Sequence, residues 1–365
     1  DCVIPVSRWT EMRQDEIEAA GLTTLLASDE VGPCLVEDAC HRALYVFNHF
    51  EYDSGTLKEE YDRDLASGKA IDVPVVEPSD QGAGPISRIH DLGYLRFLES
   101  AHRRWMEMDD WGDEVMSNIF VRSPNAMRGI LAEAGRYIAD GSSPIGAHTW
   151  EAVYWGAQVA LGAADAVMAG ERTAYGLCRP PGHHARRDAA GGFCYLNNAA
   201  IAAQHMLDRF PRIAILDVDM HHGQGVQEIF YNRSDVLYIS IHGDTTNFYP
   251  VVTGFEGEKG EGEGYGYNIN LPMPHGSSEE HFFQKVEEAM MAVRLYEPDA
   301  VVVPLGFDTY YNDPQAKVAV TTEGFNRLGN RISRAGLPTL VLQEGGYDMD
   351  ALSINVQQFF KGLNG

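Results

Sequence analysis

The sequence predicts an α/β fold with an open, mostly parallel sheet that carries helices on both faces. From about residue 150 onward, short runs rich in β-branched residues alternate with stretches whose apolar residues recur at spacings of three and four. The chain has 365 residues, 44% of them hydrophobic, which is enough for one large domain or two ordinary ones. This composition excludes a disordered chain, a fibrous repeat and a small disulfide scaffold.

Strands and helices are expected to alternate in this second part of the chain. Each strand run holds four or more apolar residues and stops at glycine, proline or a charged residue. The strands are predicted at residues 173–178, 212–219, 235–242, 265–273, 300–308 and 338–345. The helices are predicted at residues 195–207, 279–297, 323–335 and 350–363.

The first part of the chain is less regular. Residues 16–27 and 36–50 can be helical, whereas residues 51–69 are acidic and irregular. Residues 88–106 predict a helix, whose apolar face comprises Tyr94, Leu95, Leu98, Ala101 and Trp105. We therefore expect a main domain at residues 86–365, preceded by residues 1–85 as a cap, an extension or a dimer contact.

Charge and cysteine usage restrict the partners and the compartment. The 53 acids and 28 bases give a formal net charge of −25, which repels a phosphate backbone, so we expect no nucleic-acid partner. A cationic small molecule fits better, although a solvated acidic surface is the simpler explanation of the charge. The five cysteines lack metal-finger or redox spacing, which favours the cytoplasm. Polar residues interrupt the most apolar stretch, residues 149–170, so we expect no membrane span.

Polar side chains collect where the predicted strands end. Ligands bind outside the carboxyl ends of the strands in an open α/β sheet. Five of the six strands deliver His, Asp or Tyr to this edge, in the segments RPPGHHA, DVDMHHGQG, SIHGD, GFD and EGGYD. This edge is therefore the predicted functional site.

Three residues at this edge match the ligand set of a catalytic metal. Asp219 and His221 stand two apart at a strand end, which points both side chains to the same side. Asp308, at the end of another strand, supplies a third ligand and leaves a position open for water. A lone D-x-H is more often an ordinary pair of polar residues, so the argument rests on all three converging. Asp217 is better read as an anchor for a histidine.

Other side chains at the edge suit acid–base chemistry. His183 and His184 follow two prolines and a glycine in a stiff loop, where a histidine can take a proton from water and return it to a leaving amine. Tyr347 can donate its phenol to a carbonyl oxygen. Phe193, next to Gly192, and Tyr249 can wall a narrow apolar channel, although lone aromatic residues are more often core.

The segments RPPGHHA, GGFCYLNNAAIAA, ILDVDMHHGQG, SIHGD, LGFD and EGGY occur in an order and spacing that resembles the zinc-dependent histone deacetylase family. The resemblance is strongest to the bacterial acetylpolyamine amidohydrolases. It covers residues from about Ile86 to the C-terminus, so it implies that residues 86–365 are a deacetylase catalytic domain. The fold that it implies is the arginase–deacetylase fold, with an eight-stranded parallel sheet.

The resemblance also implies roles for individual residues. Asp219, His221 and Asp308 become zinc ligands, with iron(II) as an alternative metal, because two carboxylates and one imidazole do not strongly select between them. His184 becomes the general base and acid, His183 its electrostatic partner bonded to Asp217, and Tyr347 the carbonyl-polarising phenol. The implied substrate-tunnel residues are Gly192, Phe193 and Tyr249. The resemblance also implies two structural potassium sites. The residues of the inner site are Asp217, Asp219, His221, Ser240 and Ile241, and those of the second site are Phe230, Arg233, Val236 and Tyr267.

The sequence departs from the family pattern in two places. Gln224 stands where the nuclear histone deacetylases have an aspartate behind the second histidine, and a neutral partner raises the pKa of that histidine less. The usual early Glu-x-Pro segment before an arginine is missing, since residues 58–63 read KEEYDR.

The function expected from all this is a deacetylase that acts on primary amines. The catalytic residues do not separate acetyl-lysine proteins from acetylated polyamines or diamines. We expect the small cationic amines, because the protein is acidic and attracts an ammonium group. A homodimer that packs through the N-terminal region together with residues 108–125 would also narrow the entrance and exclude a bulky protein loop. The candidate rim acids are Asp109, Asp110, Asp113 and Glu114. A binuclear manganese ureohydrolase and a non-catalytic binding protein are the alternatives, and the residues retained argue against both.

Overall fold

The computed structural model describes residues 23–28, 32–38, 43–46, 75–108, 111–121 and 127–365. The chain divides into two compact units, Asp1–Glu77 and Pro78–Gly365. In the first, β1 (Thr23–Ser28), β2 (Gly32–Asp38) and β3 (Ala43–Val46) form an antiparallel sheet. The expected helices at 16–27 and 36–50 are therefore wrong wherever these residues are described. Runs such as TTLLAS and GPCLVED are short and lie beside turn formers, which favours strands although their apolar spacing also fits a helix.

The second unit is built on one parallel sheet with the strand order β4-β11-β9-β5-β6-β7. All six strands predicted after residue 150 are present, and the predicted fold class is confirmed. Among the described residues this sheet has six strands, whereas the family resemblance implied eight. Their bounds are β4 Thr173–Gly176, β5 Ile213–Asp217, β6 Val236–Gly243, β7 Asn268–Met273, β9 Ala300–Leu305 and β11 Thr339–Gln343. A separate two-residue pair consists of β8 (Ser277–Ser278) and β10 (Val318–Ala319).

Helices connect and cover these strands. They are α1 Gly84–Ser87, α2 Leu92–Trp105, α3 Ile130–Tyr137, α4 Thr149–Ala169, α5 Asn198–Met206, α6 Gln224–Phe230, α7 Glu279–Tyr296, α8 Thr322–Ser333 and α9 Met349–Asn364. The apolar face predicted for residues 88–106 is buried along α2, as expected. Side-chain oxygens of Asn197, Ser278, Thr321 and Asp348 accept the backbone N–H groups that begin α5, α7, α8 and α9. Of the helices described, none is long and apolar enough to cross a membrane.

The sheet is buried on both faces. Along β5, Ile213 and Ile215 pack with α2, α4 and α5 in one apolar cluster, while Ala214 and Leu216 pack with α7, α8 and α9 in the other. Successive side chains of a strand point to opposite faces, and helices on both sides force every position of a parallel strand to be apolar. In β5 the first polar side chain is therefore Asp217, at the carboxyl end of the strand.

Candidate active site

The carboxyl ends of β5, β9 and β11 bring the predicted site residues together. These strands are neighbours in the sheet, so the segments that follow them meet at one edge. Asp219 and His221 follow β5, Asp308 follows β9, and Tyr347 follows β11. The loop after β4, the other neighbour of β11, carries His183 and His184.

Asp219, His221 and Asp308 form the predicted ligand cluster. Their candidate ligand atoms all lie within 4.8 Å of one another, and all three residues are buried. The Nδ1 atom of His221 lies 2.9 Å from Asp308 Oδ2 and 3.3 Å from Asp219 Oδ1. One imidazole nitrogen and two carboxylates therefore face a common point, as a divalent metal site requires.

Backbone groups hold both carboxylates in place. The N–H groups of His221 and Gly345 donate to Asp219 Oδ1 and Oδ2, each at 2.9 Å. The N–H of Met220 donates to Asp308 Oδ1 at 2.9 Å. These bonds orient the carboxylates without neutralising them, so the pair remains available to a cation.

Two glycines allow the backbone to approach the cluster this closely. A Cβ atom at Gly306 would lie 2.2 Å from Asp219 Oδ2, and one at Gly345 would lie 2.8 Å from the same atom. No side chain fits at such distances. The glycines of the LGFD and EGGY segments are thus explained by the packing of strand ends on the two carboxylates.

The charges of the cluster favour a bound cation. Burial, together with the charge of Asp219, raises the pKa of Asp308 to about 7. Burial alone would lower the pKa of His221, but hydrogen bonds to Asp219 and Asp308 raise it to about 9. Two buried carboxylates repel each other unless a positive charge lies between them, and a divalent ion relieves that repulsion. The donor set and its electrostatics therefore fit a metal.

His183 is the charged member of the histidine pair. Its Nδ1–H donates to Asp217 Oδ2 at 3.0 Å, and the hydroxyl of Tyr238 donates to the same oxygen at 3.0 Å. Burial alone would lower the pKa of His183, but the charges of Asp217, Asp219 and Glu344 raise it well above its usual range. This places Asp217 behind a histidine, as the sequence predicted.

His184 has the opposite electrostatic character. Burial, together with the charges of His183 and His221, lowers the pKa of His184 well below its usual range. Its Nδ1 atom lies 2.7 Å from Gln224 Oε1, so the expected contact between these two residues is present. Adjacent histidines whose pKa values move apart can divide the acid–base roles, because only a neutral imidazole can accept a proton.

Tyr347 presents a protonated phenol to the same edge. Burial, with the charges of Asp219 and Asp308, raises the pKa of its hydroxyl. The side chain therefore remains a hydrogen-bond donor at neutral pH. Its backbone N–H donates to Asp313 Oδ2 at 2.6 Å, which ties the flexible segment after Gly345 and Gly346 to a buried carboxylate.

Aromatic side chains surround the two candidate catalytic groups. Tyr249 packs edge-on against His184, with ring centroids 4.8 Å apart, and Phe193 packs against Tyr347 at 6.3 Å. Phe193 is 47% exposed, which excludes a core role and fits the wall of an entrance. Gly192 has a φ of +57°, and a Cβ atom there would lie 2.4 Å from His184 Cδ2. Only glycine fits between the wall and the histidine.

The sequence profile of the histone deacetylase domain matches residues 55–363. The chain belongs to the histone deacetylase family.

Two comparisons place the chain within this family. An acetylpolyamine amidohydrolase of Burkholderia pseudomallei is 62% identical over 308 residues, which are 84% of this chain and 90% of that protein. A crystal structure of acetylpolyamine aminohydrolase from the same organism superposes with a TM-score of 0.80 at 60% identity, over 84% of this chain and 89% of the other. The deacetylase is therefore similar to these proteins over nearly their whole lengths.

The first residues resemble a different family. The homoserine O-succinyltransferase profile matches residues 1–87. A homoserine O-acetyltransferase of Cereibacter sphaeroides is 83% identical over 100 residues, which are 27% of this chain and 33% of that protein. The two profile matches overlap at residues 55–87. Residues 58–63, where the Glu-x-Pro segment is missing, lie within this overlap.

Sequence reasoning missed three acids that support the deacetylase site. Glu344 is buried, and its Oε2 accepts the backbone N–H groups of Gly182 and His183 at 2.7 and 3.1 Å. Asp313 holds the backbone of Tyr347. Asp140 accepts hydrogen bonds from the wall residues Gly192 and Tyr249. Each acid stands beside glycine, proline or asparagine, which predicts a turn, but the neighbouring residues do not predict which distant residue it bonds to.

Proposed function

We propose that the protein is a metal-dependent amidohydrolase that removes acetyl groups from small acetylated amines, with acetylpolyamines as the main substrates. The observation that carries the proposal is the buried cluster of two carboxylates and one imidazole, with His184 and the phenol of Tyr347 at the same edge of the sheet. Burial lowers the pKa of His184 well below its usual range, which suits a proton acceptor. The two Burkholderia pseudomallei proteins described above carry the names acetylpolyamine amidohydrolase and acetylpolyamine aminohydrolase. All these site residues lie in 86–365, which we propose as the catalytic domain, with residues 1–85 as a cap or dimer contact.

The reaction uses the division of charge between the two histidines. When bound by Asp219, His221 and Asp308, a divalent metal supplies an acidified water and a polarised acetyl carbonyl. His184 accepts the proton of the attacking water and returns it to the nitrogen of the leaving amine. His183 keeps its proton through its bond to Asp217, and Tyr347 donates to the carbonyl oxygen as negative charge develops there.

We propose zinc as this metal, with iron(II) as the alternative in a reducing cell. Both ions accept oxygen and imidazole ligands, and two carboxylates with one imidazole do not strongly select between them. Structural potassium is proposed at the residues that the family resemblance implies. Asp217 and Ser240 are paired across β5 and β6, which supports the inner site. At the second site, the guanidinium of Arg233 bonds to Asp235 and Gln204, so only the backbone of Arg233 could serve as a ligand.

The proposed substrate class follows from charge and from the entrance. An acetylated polyamine keeps at least one ammonium, which a chain of net charge −25 attracts. Asp113 and Glu114 are exposed, whereas Asp109 and Asp110 lie outside the described residues. Paired backbone hydrogen bonds between Val115 and Ile145 join this segment to the loop that follows Asp140. We therefore retain Asp109, Asp110, Asp113 and Glu114 as rim acids.

The dimer contact also remains a proposal. Within residues 111–121, the exposed apolar side chains are Trp111, Met116, Ile119 and Phe120. A cluster of this kind beside an active-site rim suits a subunit contact, and residues 109–110 and 122–125 of the predicted contact lie outside the described residues.

The substrate proposal is tested with specificity constants. We expect kcat/KM to be higher for acetylputrescine, acetylcadaverine and acetylspermidine than for an acetyl-lysine peptide, and the difference to shrink at high salt.

Neutralising the four rim acids together should raise KM for the small amines roughly threefold to tenfold. The matched control neutralises four exposed acids in or just after α7, Glu280, Glu287, Glu288 and Glu297. A higher kcat/KM for the peptide would contradict the proposed substrate class. An equal rise in KM when the rim acids or the control acids are neutralised would contradict the role of the rim acids.

A carboxylate at position 224 should shift the pH profile. Gln224→Glu keeps the length of the side chain and places a negative charge 2.7 Å behind His184. The charge stabilises the imidazolium and raises the pKa of His184. Because the free base is the active form, the acidic limb of kcat/KM should move to higher pH, by about one unit. An acidic limb that stays in place would show that another group controls it.

A further inference from the structure

Three successive hydrogen bonds connect His184 to the carboxylate of Asp140. Gln224 Oε1 lies 2.7 Å from His184 Nδ1, and Gln224 Nε2 lies 3.2 Å from the Tyr249 hydroxyl oxygen. That hydroxyl lies 2.7 Å from Asp140 Oδ2. His184 and Gln224 are buried, so water does not compete for these bonds. The relay runs from Asp140 through Tyr249 and Gln224 to His184.

The chemistry of each group dictates the direction of the relay. An ionised carboxylate only accepts hydrogen bonds, so the Tyr249 hydroxyl donates to Asp140. With its single hydrogen committed, the Tyr249 oxygen can only accept, and the amide NH2 of Gln224 must face it. The amide carbonyl of Gln224 then faces His184, whose Nδ1 must carry hydrogen. The lone pair of His184 is thereby placed on Nε2.

The origin of the relay is itself held in place. Asp140 Oδ1 accepts the N–H of Ser142 at 2.9 Å, and Oδ2 accepts the N–H of Gly192 at 3.1 Å. A Cβ atom at Gly191 would lie 2.9 Å from Asp140 Oδ2 and 3.2 Å from the Tyr249 hydroxyl oxygen. The carboxylate therefore has little freedom to turn away from Tyr249.

We propose that Asp140, acting through Tyr249 and Gln224, sets His184 as the Nδ1–H tautomer with Nε2 free to accept a proton. These three are positioning residues, and Tyr249 has this role in addition to forming the tunnel wall. A glutamine alone cannot supply this orientation, because its amide can turn and offer NH2 to the histidine. The use of His184 as a base rests on the proposed function, whereas the tautomer does not.

Tyr249→Phe is the decisive variant, because it keeps the ring and removes the hydroxyl. The Gln224 amide then loses the partner that orients it, and we expect kcat to fall about tenfold, the effect of one hydrogen bond, with KM changed less than about twofold. In a Gln224→Glu background, both carboxylate oxygens accept and no wrong orientation exists. There, Tyr249→Phe should change kcat less than about twofold, measured at a pH above the acidic limb.

The matched control is Tyr195→Phe. The Tyr195 hydroxyl donates to the carbonyl of Pro144, in the loop that follows Asp140, and no hydrogen bond joins it to Gln224 among the described residues. This variant should leave kcat within about twofold of the wild type in both backgrounds. An equal loss in the control would mean that loop packing, and not the relay, governs turnover.

The tautomer is read directly by ¹⁵N NMR of the histidine side chains, with the His184 signals assigned by their loss in His184→Ala. We expect Nδ1–H in the wild type and a mixture of tautomers in Tyr249→Phe. An unchanged His184 spectrum, a change in KM alone, or equal kcat losses with glutamine and glutamate at position 224 would each overturn the proposal. A wild type without deacetylase activity would defeat the proposed function, while the NMR comparison would still decide the tautomer.

Discussion

Removal of the metal is expected to abolish turnover. Asp219, His221 and Asp308 converge within 4.8 Å, and no other group of three or more His, Cys, Asp or Glu side chains among the described residues could hold a metal. A chelator should lower kcat by about 10³-fold or more, since a metal contributes several kcal/mol to amide hydrolysis. One equivalent of zinc or iron(II) should restore activity, and elemental analysis should find one divalent ion per chain.

Asp308→Asn provides the structural control for metal removal. It retains the size of the side chain and removes one negative charge of the cluster, so the fold should persist while metal affinity falls. The wild type should melt at a higher temperature with added metal, because a ligand that binds only the folded state stabilises it. The variant should show a smaller increase. Two equivalents of manganese with activity on guanidino compounds would contradict the deacetylase assignment.

Tyr347→Phe is expected to lower kcat by roughly 10²–10³, the typical loss on removing one oxyanion donor. The aromatic ring and its packing against Phe193 remain, so metal content and KM should change little. The reason is that the phenol acts on charge that develops in the transition state, which the substrate does not yet carry. Steady-state kinetics and metal analysis of the same preparation measure both quantities.

Tyr265→Phe is the matched control for this hydroxyl. Tyr265 is 69% exposed and precedes β7, at the amino end of the sheet, opposite the candidate active site. It should match the wild type in kcat and KM. If Tyr347→Phe also retained full turnover, the phenol would have no part in the reaction.

The N-terminal region shows where sequence patterns were insufficient. Residues 23–28, 32–38 and 43–46 were expected to lie partly in helices, and they form strands. Their apolar spacing is compatible with both structures over such short runs. In contrast, α2 spans four turns, and its five predicted face residues are buried as expected. The apolar pattern of a four-turn helix could therefore be assigned from the sequence, whereas the patterns of the short N-terminal runs could not.

Three features of the protein could be predicted from residue order alone: the parallel sheet with its six strands, the edge of the sheet that carries the polar side chains, and the convergence of Asp219, His221 and Asp308. Each of these follows from local order, because a strand end places nearby residues at a known edge of the sheet. The orientation of the site's side chains could not be predicted in this way, because it depends on contacts between distant loops. Asp140 lies 109 residues before its partner Tyr249, and Glu344 lies 161 residues after His183. Hydrogen bonds between such distant residues leave no periodic trace in a sequence, since they depend on how the loops pack once the sheet has formed.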